Sequence, residues 1–270
     1  MKIHSTALID AAARLAPDVE VGPYCVVGGS VALAEGVKLH SHVVVHGNTE
    51  IGARTEVFSH AVLGGEAQMR SKKTSPEGLV IGEDNIIRES VTISTGSHSG
   101  RGTTTIGDRN YLMGACHVGH DCVVGSDVTL SNGVQLGGHV QVGDGAIMGG
   151  LAAAQQHGRI GRYAFISGLS GVTTDVIPYG IAIGLHVRLG GLNLVGLRRR
   201  KIPRENIHAL RAAYRAIFLE WDGSFKENAK RAEGQWGQFP EVAEVIAFIL
   251  ADAVRPIAPA RKKGADLGEE

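Results

Sequence analysis

The chain has 270 residues, with 27 Lys and Arg balanced by 27 Asp and Glu, so its formal net charge is zero. Bulk electrostatics therefore gives no pull toward nucleic acid, and no apolar run reaches the roughly 20 residues of a membrane-spanning helix. Three cysteines in this length exclude a disulfide framework and fit a reducing cytoplasm.

From the N-terminus the first feature is a ladder of aliphatic residues spaced by six: Ile3, Ile9, Leu15, Val21, Val27, Leu33, Leu39, Val45, Ile51, Val57 and Leu63. It resumes at Ile81, Ile87 and Ile93 and, after a shift of one residue, runs from Ile106 to Val172. That period fits neither a helix nor a plain strand. A fixed repeat identifies a solenoid, in which each unit buries its apolar side only against its neighbours. The ladder begins at Ile3, so the N-terminus reads as structure rather than as a signal peptide. Gly often follows the aliphatic residue, as at Gly119 and Gly137, where positive φ or close backbone approach selects it. The fifth position is small or β-branched. Cys25, Cys116 and Cys122 all fall there, which predicts buried small residues and not nucleophiles.

The ladder is interrupted twice. Residues 65–80 are polar and Pro-containing, although Leu63 to Ile81 is three whole hexads. Residues 94–105 are rich in Gly, Ser and Thr and cause the shift of one. Loops on a rigid scaffold are where function concentrates. After Pro203 the period becomes helical through Ile207, Leu210, Ala213, Tyr214, Ile217 and Phe218. Residues 241–254 predict a second helix, with a third between them. The charged tail from Ala258 is expected to be disordered. Histidines are scattered widely, but Cys116-His117-Val118-Gly119-His120-Asp121 places two imidazoles beside a carboxylate. His117 and His120 flank the inward Val118, so both are expected to project outside the solenoid.

The ladder resembles that of the hexapeptide-repeat family, whose fold is a left-handed parallel β-helix. The resemblance implies three hexads per triangular coil, about ten coils, and a prism of roughly 50 Å from ordinary strand spacing. Residues eighteen apart then stack. Asp121, His139, His157 and Asp175 would share one column, and His120, Gly138, Gln156 and Thr174 the next. A base, an orienting acid and an oxyanion donor could meet on that edge. The expected organisation is a mainly β chain: a left-handed β-helix over 1–195 with external loops at 65–80 and 94–105, a C-terminal α-helical appendix over 196–257, and the tail over 258–270.

Four stretches carry a narrower resemblance: HVGHDC at 117–122, LGGHVQVGD at 136–144, IRESVTI at 87–93 and GLNLVGLRRR at 191–200. They are similar to the UDP-N-acetylglucosamine O-acyltransferase family over essentially the whole chain. The resemblance implies a homotrimer that transfers a (R)-3-hydroxyacyl group from acyl carrier protein to the glucosamine 3-hydroxyl of the UDP-sugar, opening lipid A biosynthesis. It implies His120 as general base, Asp121 as its orienting acid and the Gly138 N–H as oxyanion donor. Gln68, His117, His139 and Gln156 would position sugar or thioester, and Asn193, Arg199 and Arg200 the nucleotide. Gly168 would set the end of the acyl pocket, leaving room for a chain of about fourteen carbons. No cofactor or metal is implied, because a thioester is already activated. The basic run Arg198, Lys201, Arg204 and Arg211 would dock the acidic carrier protein. Met69, Ser94, Gln155 and Val195 depart from the family pattern, which leaves the ordinary sugar and its 3-amino analogue both open as acceptors. An acetyl-coenzyme A-dependent acetyltransferase and a zinc enzyme like the gamma-class carbonic anhydrases are the competing readings on this fold.

Overall fold

The computed structural model describes residues 1–70 and 77–261. The middle of the 65–80 loop and the expectation of disorder beyond Arg261 lie outside the described residues. Most strands are two residues long and pair in parallel with the strand one coil away. Face one begins at Lys2–Ile3, face two at Leu8–Ile9 and face three at Arg14–Leu15. The register holds at eighteen residues: Leu112 pairs with Leu130, Val118 with Leu136 and Val124 with Val142. Ladder residues such as Leu112, Val118, Leu130 and Leu136 are fully buried. Strands this short have no stability alone. Each coil is held because its neighbours cover its apolar residues, each such burial contributing about 1.5–3 kcal/mol. The cysteines occupy the same interior. Burial pushes the Cys116 thiol up to about 11 and the Cys122 thiol up to about 12, so both are inert at neutral pH.

The interruptions lie on one edge. Ile51 pairs with Ile81, thirty residues on, and Ile81 with Ile106, twenty-five on, so the loops add twelve and seven residues to the regular coil. Both leave the end of face two and return at the start of face three. They hang from the edge where those faces meet, called here the 2–3 edge.

Turn chemistry differs in detail from the expectation. Left-handed φ falls on the glycine after the ladder residue at Gly64, at 81°, but more often on the fourth residue of the hexad: Asp121 at 61°, His139 at 63° and His157 at 63°. Asp and His are among the residues enriched in that conformation. Gly119 serves close approach instead, since a Cβ there would sit 2.8 Å from the Leu136 carbonyl oxygen.

The last coil is short. Ile160 bridges to Val176, only sixteen residues on, so Asp175 does not join the histidine column. Its N–H donates to the Pro256 carbonyl, and its carboxylate accepts from Arg159 Nε at 2.7 Å.

The C-terminal part contains α1 (Leu194–Arg199), α2 (Arg204–Arg215) running into a π-turn at Ala216–Glu220, α3 (Phe225–Trp236) and α4 (Pro240–Leu250). A Ser224–Glu227 capping box starts α3. The expected helix over 241–254 stops at Leu250. Pro256 disfavours helical backbone at Arg255, and the chain beyond turns back to pair with the prism. Ile257 bridges to Asp175 and Ala260 to Leu189, while Arg261 N–H donates to Leu189 O at 2.9 Å. Residues 258–261 are thus bonded where disorder was expected. Among the described residues no helix is long and apolar enough to cross a membrane.

Candidate active site

The 2–3 edge gathers most of the chemistry read from the sequence. His120 and Asp121 occupy one turn, Gly138 and His139 the next, Gln156 and His157 the one after. His120 is buried rather than projecting freely, with 10% of its side chain exposed, and the Asp121 carboxylate is wholly enclosed. His120 Nδ1 lies 2.8 Å from Asp121 Oδ2. An ionised carboxylate only accepts, so Nδ1 donates, and in the neutral ring Nε2 keeps its lone pair.

Asp121 is held from above by the loop after Ser94. Ser97 donates its N–H to Oδ1 at 3.1 Å and its hydroxyl to Oδ2 at 2.5 Å, and Gly102 N–H donates to Oδ1 at 3.0 Å. Thr104 Oγ1 accepts the Asp121 N–H at 2.9 Å. Burial alone would raise this carboxyl. Its hydrogen bonds from Ser97 and His120, with the charge of His139, outweigh burial and hold it below the usual carboxylate range.

Next to this pair, the His139 ring meets His120 edge-on at 5.0 Å between centroids and stacks on His157 at 4.4 Å. Its Nε2 is 3.8 Å from Asp121 Oδ2. Burial lowers its pKa against the pull of Asp121, and His157 and His120 lower it further. Burial and His120 do the same for His117, whose Nδ1 is 2.8 Å from Thr92 Oγ1. Gly138 has no side chain because His120 lies there: a Cβ would stand 2.5 Å from His120 Cε1 and 2.6 Å from Nε2. Gln68 is exposed on the loop that leaves the same edge. Arg255 reaches back from the C-terminal strap, donating Nε to the Gln156 carbonyl and Nη1 to Gln155 Oε1, both at 2.8 Å.

Among the described residues, His120, Asp121 and His139 each bring one donor atom within 4.8 Å of the others, close enough to hold a cation. Each Asp121 oxygen already accepts two hydrogen bonds, so a cation there would compete with the contacts from Ser97, Gly102 or His120.

The remaining expected residues lie elsewhere on the prism. Asn193 caps α1, accepting from Gly196 N–H at 2.9 Å and donating to the Tyr163 carbonyl at 3.1 Å. The Arg200 guanidinium lies 3.8 Å over the Tyr163 ring and donates to the Gly145 carbonyl. Gly145 and Tyr163 belong to turns between face three and face one, so this group sits on the 3–1 edge, with Arg199 exposed beside it. Gly168 is on the 1–2 edge, exposed next to Leu169 and stacked on Gly150. Arg198, Lys201, Arg204 and Arg211 are all exposed.

Ser97, Gly102, Thr104 and Arg255 were missed from the sequence. A signal existed for the first three. Thr92 pairs with His117, twenty-five residues on, and the same offset from Asp121 falls inside the second loop.

Residues 103–138 match the bacterial transferase hexapeptide model of six repeats, and residues 175–258 match domain 2 of UDP-N-acetylglucosamine O-acyltransferase. An acyl-[acyl-carrier-protein]–UDP-N-acetylglucosamine O-acyltransferase from Rhizobium rhizogenes is 48% identical over 187 residues, 69% of each chain. A crystal structure of a UDP-N-acetylglucosamine acyltransferase is 40% identical with a TM-score of 0.93, covering 97% of this chain and all of that one. LpxA from Acinetobacter baumannii is 36% identical with a TM-score of 0.92 over 95% of this chain and 99% of its own. The likeness identifies the prism as a left-handed parallel β-helix. With identity at this level spanning the prism, the histidine edge and the C-terminal helices, the chain belongs to the UDP-N-acetylglucosamine O-acyltransferase family.

Proposed function

We propose that the enzyme transfers a (R)-3-hydroxyacyl group from acyl carrier protein to the glucosamine 3-hydroxyl of UDP-N-acetylglucosamine, the first step of lipid A biosynthesis, in the cytoplasm. The observation that carries the mechanism is the buried His120–Asp121 pair, which leaves Nε2 as the free base. Nε2 takes the proton of the 3-hydroxyl as its oxygen attacks the thioester carbonyl. The Gly138 N–H stabilises the oxyanion. The intermediate then collapses, the C–S bond breaks, and His120 returns the proton to the departing thiolate, giving an ester and free carrier thiol. Asp121 balances the imidazolium throughout. His117, His139, Gln68 and Gln156 position sugar and thioester, while Arg199 and Arg200 hold the diphosphate.

These groups occupy three different edges of one prism, and a single substrate cannot wrap around it. The reaction therefore takes place in a cleft between neighbouring copies, the histidine edge of one facing another edge of the next, in a homotrimer. Exposed Arg198, Lys201, Arg204 and Arg211 flank that cleft as the carrier-protein docking face.

The test is incubation with UDP-N-acetylglucosamine and a mixed pool of C10, C12 and C14 hydroxyacyl carrier proteins, followed by mass spectrometry. A UDP-3-O-hydroxyacyl product dominated by C14 is expected, since Gly168 leaves the acyl path open. His120→Ala should lower the rate by about 10²–10⁴. A C10 preference would overturn the role of Gly168. Turnover only with acetyl-coenzyme A would overturn the donor, and an amide formed only on the 3-amino sugar would overturn the acceptor.

A further inference from the structure

Asp121 accepts four hydrogen bonds, from Ser97 N–H, Ser97 Oγ–H, Gly102 N–H and His120 Nδ1–H. An ionised carboxylate has about four acceptor sites, so Asp121 is saturated. Three of the four donors come from one short loop, residues 95–102, whose Ser97 is buried.

That loop is itself anchored. Thr95 N–H donates to Gly65 O at 2.8 Å, Gly96 N–H to Gly78 O at 3.0 Å, and Gly78 N–H to Gly102 O at 2.9 Å. Gly65 and Gly78 end the strands that flank the first loop. The two extrusions therefore brace each other directly above the base. Gly100 closes the fit, since a Cβ there would lie 2.3 Å from the Asp121 carboxyl carbon.

We propose that loop 95–102 is a positioning device for the base. Ser97 and Gly102 fix the Asp121 carboxylate so that His120 carries its ring proton on Nδ1 and presents an unprotonated Nε2 to the acceptor hydroxyl. Ser97 touches no reacting atom. It acts through Asp121, because Ser97 Oγ and His120 Nδ1 share the same oxygen, Oδ2. Without the serine hydroxyl the carboxylate can pivot on Oδ1, and the imidazole loses its fixed partner.

The inference rests on the acyltransferase reading, so its test has one arm that needs no turnover. The ring nitrogens of His120 are observed by nitrogen-15 NMR in the free enzyme, the signal being assigned by its loss in His120→Gln. The neutral ring of the wild type is expected to show the pure Nδ1–H form. Ser97→Ala should admit the Nε2–H form and lower kcat roughly tenfold to a hundredfold, the worth of a hydrogen bond to a charged group, with KM for both substrates unchanged. Ser97→Thr keeps the hydroxyl and should restore both readouts. Gly100→Ala, pressing a Cβ on the same carboxylate, should reproduce the double effect of Ser97→Ala. Ser99→Ala, exposed on the same loop, should alter neither. A wild-type ring signature in Ser97→Ala and Gly100→Ala overturns the proposal, whatever their rates. So does a loss of kcat in Ser97→Thr equal to that in Ser97→Ala. If no acyl transfer were found at all, the ring spectra would still decide the role of the loop.

Discussion

Gly138 is the residue against which His120 leans, and its lack of a side chain is a requirement of the ring rather than of the backbone. Its φ is not left-handed, so alanine is conformationally acceptable there. Gly138→Ala is expected to leave the thermal midpoint nearly unchanged while reducing kcat by at least about a hundredfold, as the ring is turned out of line. Equal loss of stability and activity would point to the fold instead. His139 gives a pH prediction. Burial first, then His157 and His120, place its folded pKa below the ordinary 6.5 despite Asp121. The unfolded chain therefore binds more protons in the window below 6.5. The contribution of His139 to stability is complete above that value and is lost as pH falls through the lowered one. Urea midpoints followed from about pH 7 to 5 should fall more steeply for wild type than for His139→Gln. At this scale the sequence was half legible. Asp and His recur at Asp84, Asp127, His42 and His60 as well as at Asp121 and His139, because all six take left-handed φ in edge turns. Turn chemistry alone accounts for His42, His60, His139 and His157 among the twelve histidines. His120 stands out because it precedes that position and reaches the carboxylate beside it.

Among elements, the hexad phase carried most of the information. Removing one ladder residue tests it: Leu136→Ala, fully buried between Val118 and Ala154, should cost about 2–5 kcal/mol in urea unfolding. Phase failed where the repeat ended. Counting by eighteen beyond Val172 put Asp175 under the histidines, but the sixteen-residue coil delivers it to Arg159. Likewise the apolar period of 241–254 continues past Leu250, and what ends the helix is not periodicity but Pro256 and pairing of the strap to Asp175 and Leu189. Pro256 is a local stop signal, whereas the strap pairing is a tertiary contact that nothing in the local sequence announces. Arg255 is one outcome. Arg255→Ala should leave the fold intact and raise KM for the UDP-sugar several-fold, through a looser Gln155–Gln156 turn. An unchanged KM would assign the arginine to anchoring the strap.

For the whole molecule, the architecture was legible because a one-dimensional repeat writes its geometry into spacing. The arrangement of the site was not, because residues on different edges of a prism have no common phase. His120 stands on the 2–3 edge and Arg199 beside the 3–1 edge. If each reaction chamber draws the two from different copies, inactivity is a property of chambers rather than of chains. Two dead variants can then rescue each other. His120→Ala and Arg199→Ala, denatured and refolded together in equal amounts, should regain about a quarter of wild-type activity, the share of chambers that receive both intact edges by random assortment. The same proteins refolded separately and then mixed should remain inactive. A chain carrying both substitutions would poison chambers on two sides at once, so a minority of it would silence a mixed population more strongly than either single variant.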